Sequence, residues 1–401
     1  MAEVHGEVAH GYERVKDAFA NNFTEHADVG AAFSVYHHGE KVVDLWGGLA
    51  DVETQRPWAE DSLQLIFSST KGAAAVCANL LAERGALDVD APVTHYWPEF
   101  GAAGKEHVPV RYLLSHQAGL PWIPPLSLAE SLSWDAPIKA LEAQPPAWEP
   151  GTAHGYHPGT IGWLIGELVR RITGKTLGTF FAEEIAGPLG LDFWIGLPES
   201  EAHRMTTVQS VDPRFDPMAD PDSMTEAQRN MIAAAQDPNS LLTLSMSVLP
   251  PETDPNSHAF HAHEQPAGSG ITNARSLAKM YASLIGDGVD GIRMLNDATI
   301  ARATTEQASG LDKVVAIQTR FGLGFQLNFP LAPDFPEYDA LNGALGNEGA
   351  FGHSGAGGSL GFADPVADFS FAYVMNQMHV VAGGDDPRTL SLIKAIHEVL
   401  A

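Results

Sequence analysis

The sequence has a single cysteine and few basic residues, and both shortages exclude classes of protein. Cys77 is the only cysteine among 401 residues, so no intramolecular disulfide can form. Lysine and arginine total 23 against 50 aspartate and glutamate residues, which gives a formal net charge of −27. Because so acidic a surface repels polyanions, we expect neither nucleic acid nor an anionic membrane as a partner.

Long apolar runs and targeting signals are also missing. No stretch reaches about 18 uninterrupted apolar residues, so we predict no membrane-spanning helix. The N-terminal residues 1–7 show no basic segment followed by an apolar one. We therefore expect no signal peptide and a cytoplasmic location. With 44% apolar residues the chain can nevertheless bury a large core, as one large unit or as two regions.

The first chemical signal is a serine followed by a lysine at the start of a helix. The apolar run 65–67 leads to Ser68, where we predict a helix over 68–84, and Lys71 follows one turn later. At this spacing both side chains share one helix face, which can bring the hydroxyl and the amine together. Serine acyl transfer without a histidine base needs such a pair.

Other serines offer competing assignments for the nucleophile. The Ser-x-x-Lys spacing recurs at Ser276 and Ser391, but both lie inside amphipathic helical stretches, and we interpret them as ordinary helix positions. Ser359 lies in a Gly-x-Ser-x-Gly match at 357–361. A nucleophile elbow of that kind needs a strand, a sharp turn and a helix. Strand-like residues follow instead, so we do not expect Ser359 to be the nucleophile.

Two further segments carry groups that suit a serine hydrolase. Tyr156 lies on a loop with Gly155 and Pro158 that leads into a helix, and from there it could exchange a proton with a serine. A tyrosine that merely packs on the loop is the alternative. The glycine-rich segment 351–359 could present backbone N–H groups to an oxyanion, although a flexible turn would look the same.

A group of histidines raises the question of a metal. His258, His261, His263 and Glu264 could in principle act as ligands. They lie in a loop-rich segment with no matching ligand pair elsewhere in the chain. We interpret them as a surface cluster and predict neither a metal nor an organic cofactor.

The pattern along the chain predicts strands near both ends and helices between them. We predict a hairpin over 30–49 and a long loop region over 207–265 that could form a lid over a site. Further predicted helices cover 11–24, 160–172, 273–285, 297–305 and 387–400, with Asp386 as N-cap of the last, and predicted strands cover 321–327, 349–352, 358–363 and 369–375. The terminal strands would join one antiparallel sheet covered by the terminal helices, which is an α/β (α+β) class. The predicted division is a discontinuous sheet domain, 1–85 with 270–401, and a mostly helical domain, 86–269.

Three motifs follow one another along the chain: Ser68-x-x-Lys71, then Tyr156, then His353-Ser354-Gly355. Their order and spacing resemble the serine β-lactamase and penicillin-binding-protein superfamily, class C-like, and within it most closely the family VIII carboxylesterases. The segments 111–121, 156–166 and 373–377 are also similar to this superfamily, so the resemblance runs from about residue 10 to the end. It implies a β-lactamase/DD-peptidase-like fold with the site between a sheet domain and a helical domain.

The resemblance also implies roles for individual residues. Ser68 would be the nucleophile, and Lys71 and Tyr156 would share general-base and general-acid duties in an order that the sequence leaves open. The backbone N–H groups of Ser68 and Ala356 would form the oxyanion hole. The segment 353–355, that is His353, Ser354 and Gly355, would contact the substrate.

Two departures from the superfamily pattern bear on the substrate. Pro158 stands where β-lactamases of this type carry an asparagine, and His353 stands where they carry a lysine. Both changes remove polar recognition of a β-lactam, so a small uncharged ester with a short acyl chain is the expected substrate. A β-lactamase, D-amino-acid peptidase or acyltransferase of the same superfamily is the alternative, followed by a binding protein that has lost catalysis. The physiological ester and the oligomeric state stay open.

Overall fold

A computed structural model of the protein describes residues 3–211, 224, 226–328, 347–379 and 386–400. The described strands are β1 (Val4–Val8), β2 (Gly30–His37), β3 (Glu40–Asp51), β4 (Arg56–Pro57), β5 (Gln64–Leu65), β6 (Phe193–Ile195), β7 (Gly270–Thr272), β8 (Ala308–Leu311), β9 (Gln318–Phe321), β10 (Gln326–Leu327), β11 (Phe351–Ser354), β12 (Leu360–Asp364) and β13 (Phe369–Met375).

The described α-helices range from single turns to four turns in length. They are α1 (Glu13–Glu25), α2 (Thr70–Glu83), α3 (Val110–Leu114), α4 (Leu128–Ser131), α5 (Asp135–Ala143), α6 (Thr160–Thr173), α7 (Leu177–Phe181), α8 (Gly187–Leu189), α9 (Glu226–Gln236), α10 (Leu241–Met246), α11 (His258–Ala262), α12 (Ala274–Ala282), α13 (Asp297–Ala303) and α14 (Pro387–Leu400). None of them, within the described part of the chain, combines the length and apolar character that crossing a bilayer requires.

The main sheet is built from both ends of the chain and is antiparallel throughout. Its order is β1-β3-β2-β13-β12-β11-β10-β9-β8, with β4 paired to β3. Because side chains alternate along a strand, the central strands serve two cores. Phe33 and Phe371 face α1 and α14, whereas Ala32 and Ala372 face the core that contains α2 and α12. The predicted antiparallel sheet covered by helices is therefore confirmed.

Helix α2 is the buried centre of the second core. Every residue from Thr70 to Ala82 is buried, which is unusual for a helix of a globular protein and matches its run of small residues. Gly72 allows the closest approach, because the Tyr281 hydroxyl of α12 occupies the space that a Cβ at Gly72 would need. The small side chains thus let other helices pack tightly around the helix that carries Lys71.

A second, three-stranded sheet of order β5-β7-β6 fixes the start of α2. It pairs Leu65 with Ile271, and the Ile66 N–H donates to Gly270 O at 2.9 Å. Residues separated by about two hundred positions are thereby joined immediately before Ser68.

Several predicted elements are confirmed, among them the 30–49 hairpin and helix α14. Asp386 does cap α14, since its carboxylate accepts the Arg388 N–H at 2.9 Å. The predicted 321–327 strand is wrong as a single strand. It breaks into β9 and β10 because the Gly322 N–H turns back to Phe325 O, and Gly324 adopts a φ of 91°, which glycine tolerates.

The prediction of a long loop region over 207–265 is also wrong in part. Its described residues include α9, α10 and α11, while residues 212–223 and 225 lie outside the described part of the chain. The hydroxyls of Ser240 and Ser257 accept N–H bonds at the starts of α10 and α11, so local caps form short helices that apolar periodicity does not reveal. The division into domains at residues 85 and 269 stays a prediction.

Candidate active site

Ser68 lies on a tight turn between the small sheet and α2. A 3-10 turn over Phe67–Ser69 precedes the helix, and Phe67 adopts a φ of 45°, which is rare for a bulky residue. The Ser359 hydroxyl donates to Ile66 O at 2.8 Å and holds the turn from the other side. Strain of this kind, maintained by surrounding contacts, is typical of functional turns.

Lys71 points its amine at the Ser68 hydroxyl. The Lys71 Nζ lies 2.9 Å from Ser68 Oγ and donates to Ala267 O at 2.8 Å. Burial lowers the pKa of Lys71 well below its usual value, because an ammonium ion is poorly solvated there. A neutral amine next to a serine hydroxyl can accept the proton of that serine.

Tyr156 completes the group from the loop before α6. Its ring centroid lies 4.9 Å from Lys71 Nζ. Burial raises the pKa of Tyr156, the nearby Asp312 carboxylate adds to this rise, and a side-chain hydrogen bond with Ser68 acts in the opposite direction. The structure thus brings together Ser68, Lys71 and Tyr156, and burial favours the protonated form of the phenol and the deprotonated form of the amine.

Three buried histidines surround the tyrosine. The rings of His116 and His353 lie 5.0 and 6.0 Å from the Tyr156 ring, and the ring of His157 lies 5.5 Å from that of His116. Burial lowers the pKa of His157 to about 4 and, together with Lys71, that of His353 to about 3. His353 is therefore uncharged at neutral pH.

The glycine-rich segment runs alongside the nucleophile turn. Gly355 has no space for a side chain, because Ile66 O and the hydroxyls of Ser69 and Ser359 surround its Cα. The Gly355 N–H donates to Ser359 O at 2.7 Å and fixes the bend that exposes Ala356. Ser68 and Ala356 line the same cavity, as an oxyanion hole built from their N–H groups requires.

A cavity of about 740 Å³ opens over these groups. Most of its lining is apolar, including Met246, Val248, Phe260, Val315 and Ile317. Asp386 is the one carboxylate among the lining residues of the described chain, and it is already bonded to Arg388 at 2.6 Å. The described part of the lining therefore presents no unpaired carboxylate to a bound molecule.

The other serines considered as nucleophiles make hydrogen bonds that support the fold. Ser359 precedes β12 rather than a helix, and its hydroxyl lies 3.1 Å from the Ser69 hydroxyl. The Ser276 hydroxyl accepts the Asp192 N–H at 2.9 Å, and the Ser391 hydroxyl donates to Arg388 O at 2.8 Å. Neither has a lysine amine at its hydroxyl, since Lys279 pairs with Asp290 at 2.6 Å and Lys394 has no such contact in the described chain.

The histidine group near residue 260 is engaged in other contacts. His258 pairs with Glu199 at 2.6 Å, and His261 Nε2 donates to Pro255 O at 2.8 Å. The Glu264 carboxylate accepts from the Thr176 hydroxyl and the Gly178 N–H at the start of α7. No group of ligands suited to a metal ion is found among the described residues.

Sequence reasoning missed two residues that hold the site. Ala267 supplies the carbonyl that positions Lys71, and Asp312 accepts the Tyr156 N–H. Neither lies in a motif, and both meet their partners across more than a hundred residues. No local signal could have found them.

A strained serine turn, a buried lysine amine at hydrogen-bond distance from that serine, a phenol and two backbone N–H groups along one cleft are the features of a serine acyl-transfer enzyme of the Ser-x-x-Lys kind. Comparison with known proteins shows to which family within this class of enzymes the chain belongs. The family profile described as Beta-lactamase matches residues 17–394, so the chain belongs to the β-lactamase family.

Individual relatives share most of their length with this chain. The esterase/beta-lactamase LipL of Mycobacterium tuberculosis is 33% identical over 379 residues, which cover 90% of this chain and 80% of LipL. The crystal structure of a family VIII carboxylesterase is 39% identical and superposes with a TM-score of 0.85, covering 99% of this chain and 100% of that one. EstA from Arthrobacter nitroguajacolicus Rue61a is 34% identical with a TM-score of 0.82, over 98% of each chain.

Proposed function

We propose that the protein is a carboxylesterase that hydrolyses uncharged esters through an acyl-enzyme on Ser68. One observation carries the proposal: the buried Lys71 amine lies 2.9 Å from the Ser68 hydroxyl at the base of a mostly apolar cavity. The carboxylesterase and esterase relatives, at 33 to 39% identity, support an ester rather than another acyl donor.

Acylation begins when Ser68 Oγ attacks the ester carbonyl and transfers its proton to Lys71. Lys71 suits the role of base, since its pKa is lowered, whereas the raised pKa of Tyr156 suits a proton donor. The developing oxyanion accepts hydrogen bonds from the N–H groups of Ser68 and Ala356. The tetrahedral intermediate then expels the alcohol, which receives a proton by way of Tyr156.

Deacylation reverses the roles with water in place of the alcohol. A water molecule attacks the acyl carbonyl, the Lys71–Tyr156 pair accepts its proton, and Ser68 Oγ leaves protonated. The free acid departs and the neutral amine is restored. This cycle is balanced in protons and uses groups of the protein and water alone.

The cavity surface supports a neutral substrate. Pro158 lines the cavity without a side-chain donor, and His353 lies beside Tyr156 with a pKa of about 3, so neither recognises a carboxylate. We propose a short acyl chain, with the apolar volume used chiefly by the alcohol part. β-Lactam turnover is the second candidate activity, favoured by the name of LipL, which combines esterase and β-lactamase.

The test compares serine variants with p-nitrophenyl acetate and p-nitrophenyl butyrate. Ser68→Ala should lose at least about 10³-fold in kcat/KM, because no nucleophile remains. Ser391→Ala is the matched control, since it removes another Ser-x-x-Lys serine that is not among the lining residues of the cavity, and it should keep full activity. Full activity of Ser68→Ala would refute the proposal, and faster turnover of nitrocefin than of either ester would replace it with the β-lactamase alternative.

A further inference from the structure

A buried carboxylate lies behind the catalytic loop without reaching the cavity. Asp312 is 1% exposed and directly follows β8. Both of its oxygens accept the Tyr156 N–H, at 3.0 and 2.8 Å. Asp312 itself is not among the residues that line the cavity.

The carboxylate is saturated with hydrogen-bond donors. It accepts the N–H groups of Val314 and Val315 at 2.8 and 3.0 Å, and the Thr319 hydroxyl at 3.1 Å. Because Thr319 donates its proton to the carboxylate, it must accept from His154 Nε2, which lies 2.9 Å away. A charge this deeply buried persists only when such bonds replace its lost hydration.

The loop around Tyr156 has each of its backbone N–H groups held by a fixed acceptor. The Gly155 N–H donates to His116 O at 3.0 Å and the His157 N–H to His116 Nδ1 at 3.0 Å. Pro158 has no N–H to donate. Of these acceptors, Asp312 alone is a carboxylate, and it holds the residue whose side chain faces Ser68.

From this geometry we infer that Asp312 is a positioning residue for the esterase reaction: it holds the Tyr156 backbone so that the phenol lies in reach of Ser68. The inference rests on the proposed function, because it acts through Tyr156. Displacing a catalytic group by about 1 Å can cost about 10²-fold in rate. The role of Asp312 should therefore appear in kcat rather than in substrate binding.

The main experiment exchanges Asp312 for asparagine, which keeps its shape but turns one oxygen into a donor facing other donors. Asp312→Asn should lower kcat for p-nitrophenyl butyrate by about 10²-fold and change KM much less. Asp364→Asn is the matched control. Asp364 is equally buried and accepts N–H bonds from Val366, Ala367 and Asn347, in the turn between β12 and β13. Asp364→Asn should lower thermal stability about as much as Asp312→Asn does, while leaving kcat unchanged.

A double-mutant cycle separates positioning from general support of the fold. If Asp312 acts through Tyr156, Asp312→Asn should cost less than about 3-fold once Tyr156→Phe has removed the phenol. An equal loss in the Tyr156 and Phe backgrounds would overturn the inference and leave the proposed function intact. Full activity of Tyr156→Phe alone would overturn both the assigned role of Tyr156 and this inference.

A second variant covers the case in which Asp312→Asn fails to fold. Thr319→Val removes a single hydroxyl donor to the carboxylate and leaves its backbone donors in place. It should lower kcat several-fold in the wild-type background and have no further effect in the Tyr156→Phe background. The same loss of kcat in both backgrounds would overturn the inference.

Discussion

At the scale of single residues, burial shifts the pKa values of the proposed base and the proposed acid in opposite directions. It lowers the pKa of the Lys71 amine and raises that of the Tyr156 phenol. Burial also lowers the pKa values of the nearby His157 and His353. Ser68 therefore lies beside an amine that gives up its proton more readily than an ordinary lysine does.

The pH dependence of activity follows from the Lys71 amine. Only the neutral amine can accept the Ser68 proton, so kcat/KM should fall as pH decreases through the pKa of Lys71. That midpoint should lie well below the ordinary lysine value of about 10.4, because burial lowers the pKa. A pH–rate profile with a neutral p-nitrophenyl ester measures it, since the substrate does not titrate.

The histidines near the site should not cause this fall in kcat/KM at lower pH. Burial lowers the pKa of His157 to about 4 and contributes to that of His353, about 3, so neither histidine titrates near neutral pH. Circular dichroism over the same pH range controls for unfolding. A fall in kcat/KM centred near pH 10 would contradict the lowered pKa of Lys71.

At the scale of elements, a buried ionic network joins both ends of the chain beside the glycine-rich segment. Arg388 at the start of α14 is fully buried and pairs with Asp28 at 3.0 Å and Asp386 at 2.6 Å. Asp28 also accepts the Tyr373 hydroxyl of β13 at 2.5 Å. The guanidinium donates in addition to Gly357 O, next to Ala356.

Removing the guanidinium should destabilise the fold strongly. Arg388→Met leaves two carboxylates buried without their cation, a change that costs about 3–5 kcal/mol of the free energy of unfolding. Arg14→Met is the matched control, because the exposed Arg14–Glu398 pair joins the same two helices, α1 and α14. Urea denaturation should show a large loss for Arg388→Met and little change for Arg14→Met. Equal, small losses would contradict the role of the buried network.

The sequence predicted those elements whose signals lie close together along the chain. The 30–49 hairpin and α14 were predictable because alternation, turn residues and a cap all lie within a few positions. Helices α10 and α11 were not, since a single serine cap and tertiary contacts support each of them. Asp312 and Ala267 could not be predicted, because only the assembled fold brings them to Tyr156 and Lys71.

At the scale of the whole molecule, the excess of negative charge should make stability depend on salt. A formal net charge of −27 repels itself across the surface of a folded chain. Raising NaCl from about 10 mM to about 1 M shortens the Debye length from about 30 Å to about 3 Å, so the thermal midpoint should rise. KM for an uncharged ester should hardly change, since the described lining of the cavity is mostly apolar. A falling midpoint would contradict this account of the surface.

The most direct test of the whole account is mass spectrometry of the protein after reaction with a serine-directed fluorophosphonate. The account predicts one adduct per chain, located on the peptide that contains Ser68, and none in Ser68→Ala. Labelling should also fall sharply in Lys71→Met, where the base is missing. An adduct on Ser359 or another serine, or no adduct on the active native protein, would contradict the assignment of Ser68 as the nucleophile.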